Sequence, residues 1–128
     1  MSTHIEARFE IASWDETPFE GGDDATKLTE ALVSKRYEGD IEGTSTTKWL
    51  MAYAADKSAQ FVGVEHITGT IGGKKGSIVL LHEGGYRDGV ASGQLSVASG
   101  TRELANVAGS GKFLADPAGS MTLDLDGA

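Results

Sequence analysis

The sequence has no cysteine, two prolines, few aromatic residues and a shortage of basic charge. Without cysteine there is neither a disulfide framework nor a thiolate metal site, and a reducing, cytoplasmic setting is the natural expectation. The three histidines, His4, His66 and His82, lack the spacing of zinc ligands, so no metal and no cofactor is expected. Eleven basic residues stand against 19 acidic ones, a net charge of −8 that works against a nucleic-acid or anionic membrane surface; neither partner is expected. Long apolar runs are also missing. The opening "MSTHIEARFE" alternates charged and apolar groups, unlike a signal peptide, and no stretch approaches the roughly 20 apolar residues of a membrane span. At 128 residues the chain is expected to be one domain, residues 1–128, around one core.

Glycine is abundant: 18 residues, placed between short β-branched or aromatic runs where they punctuate hairpins. In "THIEARFEIASW", Ile5, Ala7, Phe9 and Ile11 alternate with His4, Glu6, Arg8 and Glu10, which defines a strand with one apolar face. The acidic stretch 15–24, "DETPFEGGDD", reads as a loop, and 31–41 as an extended segment after one helical turn. Beyond it, six further strand-like runs are separated by "ADKSA", "GGKK", "GGYRD", "GTR" and "DPAG". Connectors this short force antiparallel neighbours. The expected fold is all-β: an eight-stranded antiparallel up-and-down (meander) barrel, whose closure removes exposed edges and leaves a lumen for side chains or one small ligand. Gly109 and Gly111, inside a strand-like run, read as the bends that such a barrel needs.

Candidate site residues emerge from strand pairing. With "GGKK" as the loop, Ile67 opposes Leu80 and Glu65 opposes His82; a slip of one residue would instead set Glu65 against Glu83. The favoured register puts Phe61, Gly63, Glu65, Ile67 and Gly69 on one face with Ile78, Leu80 and His82, joined by Ala91, Gly93, Leu95 and Val97. Glu65 and His82 thus form a titratable pair on a mostly apolar face: a structural polar pair, a pair at a solvated barrel mouth, or a general acid/base couple, with the proton's location open. A three-residue turn at Asp56–Ser58 adds Trp49, Met51 and Tyr53 to the same wall; a two-residue turn would add Lys48, Leu50, Ala52 and Ala54 instead. The candidate ligand-binding residues are therefore Trp49, Met51, Tyr53, Phe61, Gly63, Ile67, Leu80 and Leu95. Val62, Val64, Val79 and Leu81 fall on the outward face, where apolar residues point to cover by the chain's own loops or by a second subunit.

The stretches "FEIASWDETPF", "YEGDIEGTS", "LMAY", "VEHITGTIGGKKGSIVLLHEGG" and "SGTRELANVAGSG" resemble the bacterial family known as domain of unknown function 3224. That resemblance implies an eight-stranded meander barrel similar to that of allene oxide cyclases, and no established activity. Three functions follow as expectations. The first is binding of a small apolar molecule in the lumen. The second is a cofactor-free isomerase or cyclase with Glu65 and His82 as catalytic acid and base. The third is a homo-oligomeric or protein-interaction module built on the outward apolar strands.

Overall fold

The computed structural model describes residues 2–21, 27–116 and 118–127. Eight strands follow one another: β1 (Ser2–Gly21), β2 (Lys27–Gly39), β3 (Ile41–Tyr53), β4 (Ala59–Ile71), β5 (Lys74–Arg87), β6 (Val90–Gly100), β7 (Ala108–Ala115) and β8 (Gly119–Asp126). Each pairs antiparallel with the next, and β8 returns to β1, so the sheet closes as a meander barrel. Alternation along each strand sends one set of side chains inward. The core holds Trp49, Phe61, Ile67, Ile78, Leu80 and Leu123, all almost fully buried.

Hairpin geometry differs from the sequence-based expectation at several points. The β4–β5 loop is Gly72-Gly73 alone, with φ of 58° and 83°, so Lys74 and Lys75 belong to β5. Positive φ at both loop positions matches the right-handed twist of paired strands, which is why two glycines suffice. Asp88 and Gly89, with φ of 54° and 82°, repeat the device, and β5 runs through "GGYR" where a connector was expected. The first change moves the β4–β5 register by two residues: Ile67 opposes Ile78, Glu65 opposes Leu80 and Gly63 opposes His82. A shift of two leaves every side chain on its expected face.

The β3–β4 loop spans five residues, 54–58, rather than three, and again the faces are kept: Trp49 opposes Gly63 and Met51 opposes Phe61. Residues 15–21, expected in a loop, continue β1; the remainder of that loop, 22–24, lies outside the described residues. β8 leaves β1 at Phe9, so from Glu10 onward the strand pairs with β2 on one side, and proline at an edge with a register irregularity beside it is tolerated. Ile11, expected inward, is exposed: it lies just past the point where β8 leaves β1, beside a further irregularity between Ile11 and Ser13. Among the described residues no helical turn precedes Ala31, because Lys27–Gly39 is strand throughout, and Ile41 opens β3. The run from Glu103 is not all strand: a 3-10 turn at Arg102–Leu104 tucks Leu104 into the core before β7 begins.

Candidate functional site

Glu65 is fully buried at the centre of the barrel and accepts four hydrogen bonds. Its Oε1 receives His82 Nε2 at 2.8 Å and Lys35 Nζ at 3.4 Å; its Oε2 receives the Tyr37 hydroxyl at 2.5 Å and Ser45 Oγ at 2.6 Å. These donors come from β2, β3 and β5, so one carboxylate on β4 ties four consecutive strands together. Burial pushes its pKa upward, but the Lys35 charge and the bond from His82 outweigh it and hold the group down at about 2. Glu65 is therefore a carboxylate.

His82 lies diagonal to Glu65 across the β4–β5 ladder, and both of its ring nitrogens are engaged. Trp49 Nε1 approaches His82 Nδ1 at 3.1 Å, and an indole N–H can only donate. Nδ1 must then carry the lone pair, which leaves the proton on Nε2, pointed at Glu65. The ring is neutral. Burial pushes its pKa down, against the opposing pull of Glu65.

Lys35 completes the cluster and is itself fully buried. Its ammonium lies 4.6 Å from the Phe9 ring centre, 5.3 Å from Trp49 and 5.4 Å from Phe113, so aromatic faces supply part of its solvation and Glu65 supplies the counter-charge. Burial lowers the lysine's pKa while Glu65 raises it. Lys35, Tyr37 and Ser45 were not among the expected site residues. Their signal was present: Ala31, Val33 and Tyr37 share the inward face of β2, and a period of two obliges Lys35 to join them.

The expected ligand wall is assembled as a wall. Trp49, Met51, Phe61, Ile67, Leu80 and Leu95 are buried, and Tyr53 packs against them half-buried. Trp49 stacks on Phe61 at 4.6 Å and on Phe113 at 5.8 Å. Gly63 provides the space: a Cβ there would lie 2.1 Å from the Lys48 carbonyl oxygen and 2.6 Å from Trp49 Cδ1. On the other side of Trp49, Trp14 of the β1 extension packs edge-on at 5.4 Å. Its indole donates to Glu16 at 3.0 Å, which also accepts from Thr29 at 2.7 Å and Tyr53 at 2.6 Å. Burial would raise the pKa of Glu16, but these donors bring it below the usual range; burial, with the hydrogen bond to Glu16 and its charge, pushes Tyr53 upward.

A groove of about 960 Å³ lies against this wall. Met51, Phe61 and Phe113 line it from the core side, Leu50 and Val62 from the outer face, and Phe19 stands at its border. Gln60, Glu83, Gln94 and Lys112 supply its polar groups. Among the described residues no group of three or more histidine, aspartate and glutamate side chains is placed to hold a metal ion, and no helix is long and apolar enough to cross a membrane.

Both the sequence and the overall structure have counterparts in a known family. The sequence pattern of the proteins of unknown function designated DUF3224 matches residues 5–126, and the chain belongs to that family. A crystal structure at 1.84 Å resolution of a DUF3224 protein of unknown function from Shewanella oneidensis MR-1 is similar to it, with a TM-score of 0.79, 26% sequence identity and 98% of each chain covered. No curated protein matches the chain.

Proposed function

We propose that the protein binds a small apolar molecule in the groove beside the Trp49 wall. The observation that carries this reading is the groove itself. Its volume of about 960 Å³ lies within the range of small-molecule sites, and its apolar floor of Met51, Phe61 and Phe113 is backed by stacked rings with a few polar groups around the rim. The ligand rests on three wall residues instead of threading through the filled lumen. A cytoplasmic location fits a chain without cysteine.

The test uses Ser92→Trp, which fills the groove from an exposed position on the outer face. Wild-type protein is expected to bind an apolar fluorophore such as anilinonaphthalene sulfonate at one site, and to release a co-purifying apolar compound when denatured and examined by mass spectrometry. The folded Ser92→Trp protein loses both. Equal binding by the two proteins overturns the reading.

A cofactor-free isomerase or cyclase is the second reading, and its fold analogy to allene oxide cyclases rests on resemblance. It requires Glu65 or His82 to reach a substrate. Both residues are buried with their hydrogen-bonding atoms already engaged by protein partners, which ranks binding ahead of catalysis.

A further inference from the structure

The outer face of β4 presents Gln60, Val62, Val64, His66, Thr68 and Thr70, with no aspartate, glutamate, lysine or arginine on that face; the strand's one charged residue, Glu65, points inward. In a chain with 23% charged residues this is an uncharged strip, and its centre is aliphatic. The ladders place two rows across it. Lys48, Val64 and Leu81 lie side by side on β3, β4 and β5, and next to them Leu50, Val62 and Glu83. All six side chains are exposed, with Leu50, Val62, Val64 and Leu81 each about half accessible, at 48%, 52%, 47% and 46%. Val62 and Val64 therefore form the middle of a rectangle, and Leu50 and Leu81 two of its corners. A cation occupies one corner and an anion the diagonally opposite corner.

That pattern is self-complementary. A two-fold axis lying in the contact plane, along the Leu50–Leu81 diagonal, brings each copy's Lys48 over the other's Glu83 and sets Val62 against Val64. The two leucines stay close to the axis and meet their own symmetry mates. The strands of the two sheets then cross at a steep angle, one of the established ways for sheets to pack face to face. We propose that this face pairs with a second copy of the same chain. A net charge of −8 makes two copies repel over most of their surfaces, whereas this strip and its diagonal charges offer contact without like-charge opposition. The Lys48–Glu30 contact within one chain, 3.5 Å long and exposed, is weak enough to be exchanged for one across the interface. The pairing does not depend on the ligand reading, although the two share Leu50, Val62 and Glu83, so a partner copy walls one flank of the groove.

Size-exclusion chromatography with light scattering on the full chain tests the pairing. Wild-type protein at tens of micromolar is expected at twice the 13.4 kDa chain mass. Lys48→Glu places two glutamates opposite Glu83 residues across the axis, and Glu83→Lys places lysines opposite lysines. Each is expected to weaken the dimer by about tenfold or more. Mixing the two single variants restores attraction at both charge contacts and returns a mixed dimer, and the double variant Lys48→Glu/Glu83→Lys dimerises on its own. Because the mixture uses two proteins already shown to be folded by circular dichroism, its result does not hinge on folding. A monomeric wild type, single variants that dimerise like wild type, or a mixture that stays monomeric overturns the proposal. A wild-type dimer that binds no fluorophore overturns the groove reading alone.

Discussion

The indole of Trp49 donates to Nδ1 of His82 at 3.1 Å, and this one bond fixes the histidine as the neutral Nε2–H tautomer facing Glu65. The relation reaches from the aromatic wall to the buried charges, because the proton that Trp49 keeps off Nδ1 sits on Nε2 and is donated to the carboxylate.

Nitrogen-15 NMR of the histidine rings is expected to show His82 as the Nε2–H tautomer and uncharged at and below pH 6.5. His82 has its pKa pushed down by burial from the ordinary 6.5, so the unfolded chain takes up the proton first. Its contribution to stability is present above pH 6.5 and is lost as pH falls below it. Urea midpoints measured against pH are expected to decline in that window. Trp49→Phe leaves Nδ1 without a donor and should shift the ring toward a mixture of tautomers; an unchanged spectrum would refute the assignment.

A second acid-sensitive window belongs to Glu65. Its folded pKa of about 2 lies below the ordinary 4.5, so its contribution is complete above 4.5 and is lost as pH falls from there toward 2. Glu65→Gln should abolish this lower window and, by leaving Lys35 as a buried cation without its anion, cost about 3–5 kcal/mol at neutral pH. Adding Lys35→Met should recover a large part of that loss. Denaturation of the two single variants and the double variant measures the coupling, and strictly additive losses would contradict a paired site.

Two glycines separate backbone conformation from crowding. Gly73 has φ of 83° and open space around its absent Cβ, so Gly73→Ala should cost about 1 kcal/mol and nothing more. At Gly63 a methyl group would press against the Lys48 carbonyl and the Trp49 ring, and Gly63→Ala is expected to cost about 4 kcal/mol or to prevent folding. Thermal midpoints of the two variants should rank accordingly.

Among the described residues, the buried Thr47 hydroxyl is left without a hydrogen-bond partner. Thr47→Val keeps the shape and removes the unsatisfied group, so a gain of about 1 kcal/mol is expected from chemical denaturation. A loss of that size would mean that the hydroxyl has work elsewhere.

Alternation made most of the barrel's faces legible: Phe61, Glu65, Leu80, His82 and Leu95 point inward as expected, while the inward face of the Trp49 strand hung on a turn length that the sequence left open. The meander order followed from the short connectors. Register was harder to read, because side-chain alternation cannot distinguish pairings that differ by two residues; turn chemistry decides, and "GGKK" offers both a four-residue and a two-residue loop. The length of β1 was hidden by acids and a proline that would end an interior strand but are tolerated at an edge. Lys35 went unrecognised because, flanked by Ser34 and Arg36, a lysine reads as solvent-facing even though Val33 and Tyr37 two residues away place it on the inward face.

The carboxylate that gathers donors from four strands has a bearing on how the chain settles on a single arrangement. Apolar side chains alone would accept neighbouring strands slid by one full pleat, since grease meets grease in either alignment. Glu65 rejects such sliding: a shift moves Lys35, Ser45 or His82 about 7 Å along its strand and strands a charge in a dry interior. The polar knot acts as a lock on alignment, and a version of this barrel rebuilt with only hydrocarbon inside would be free to close in more than one way.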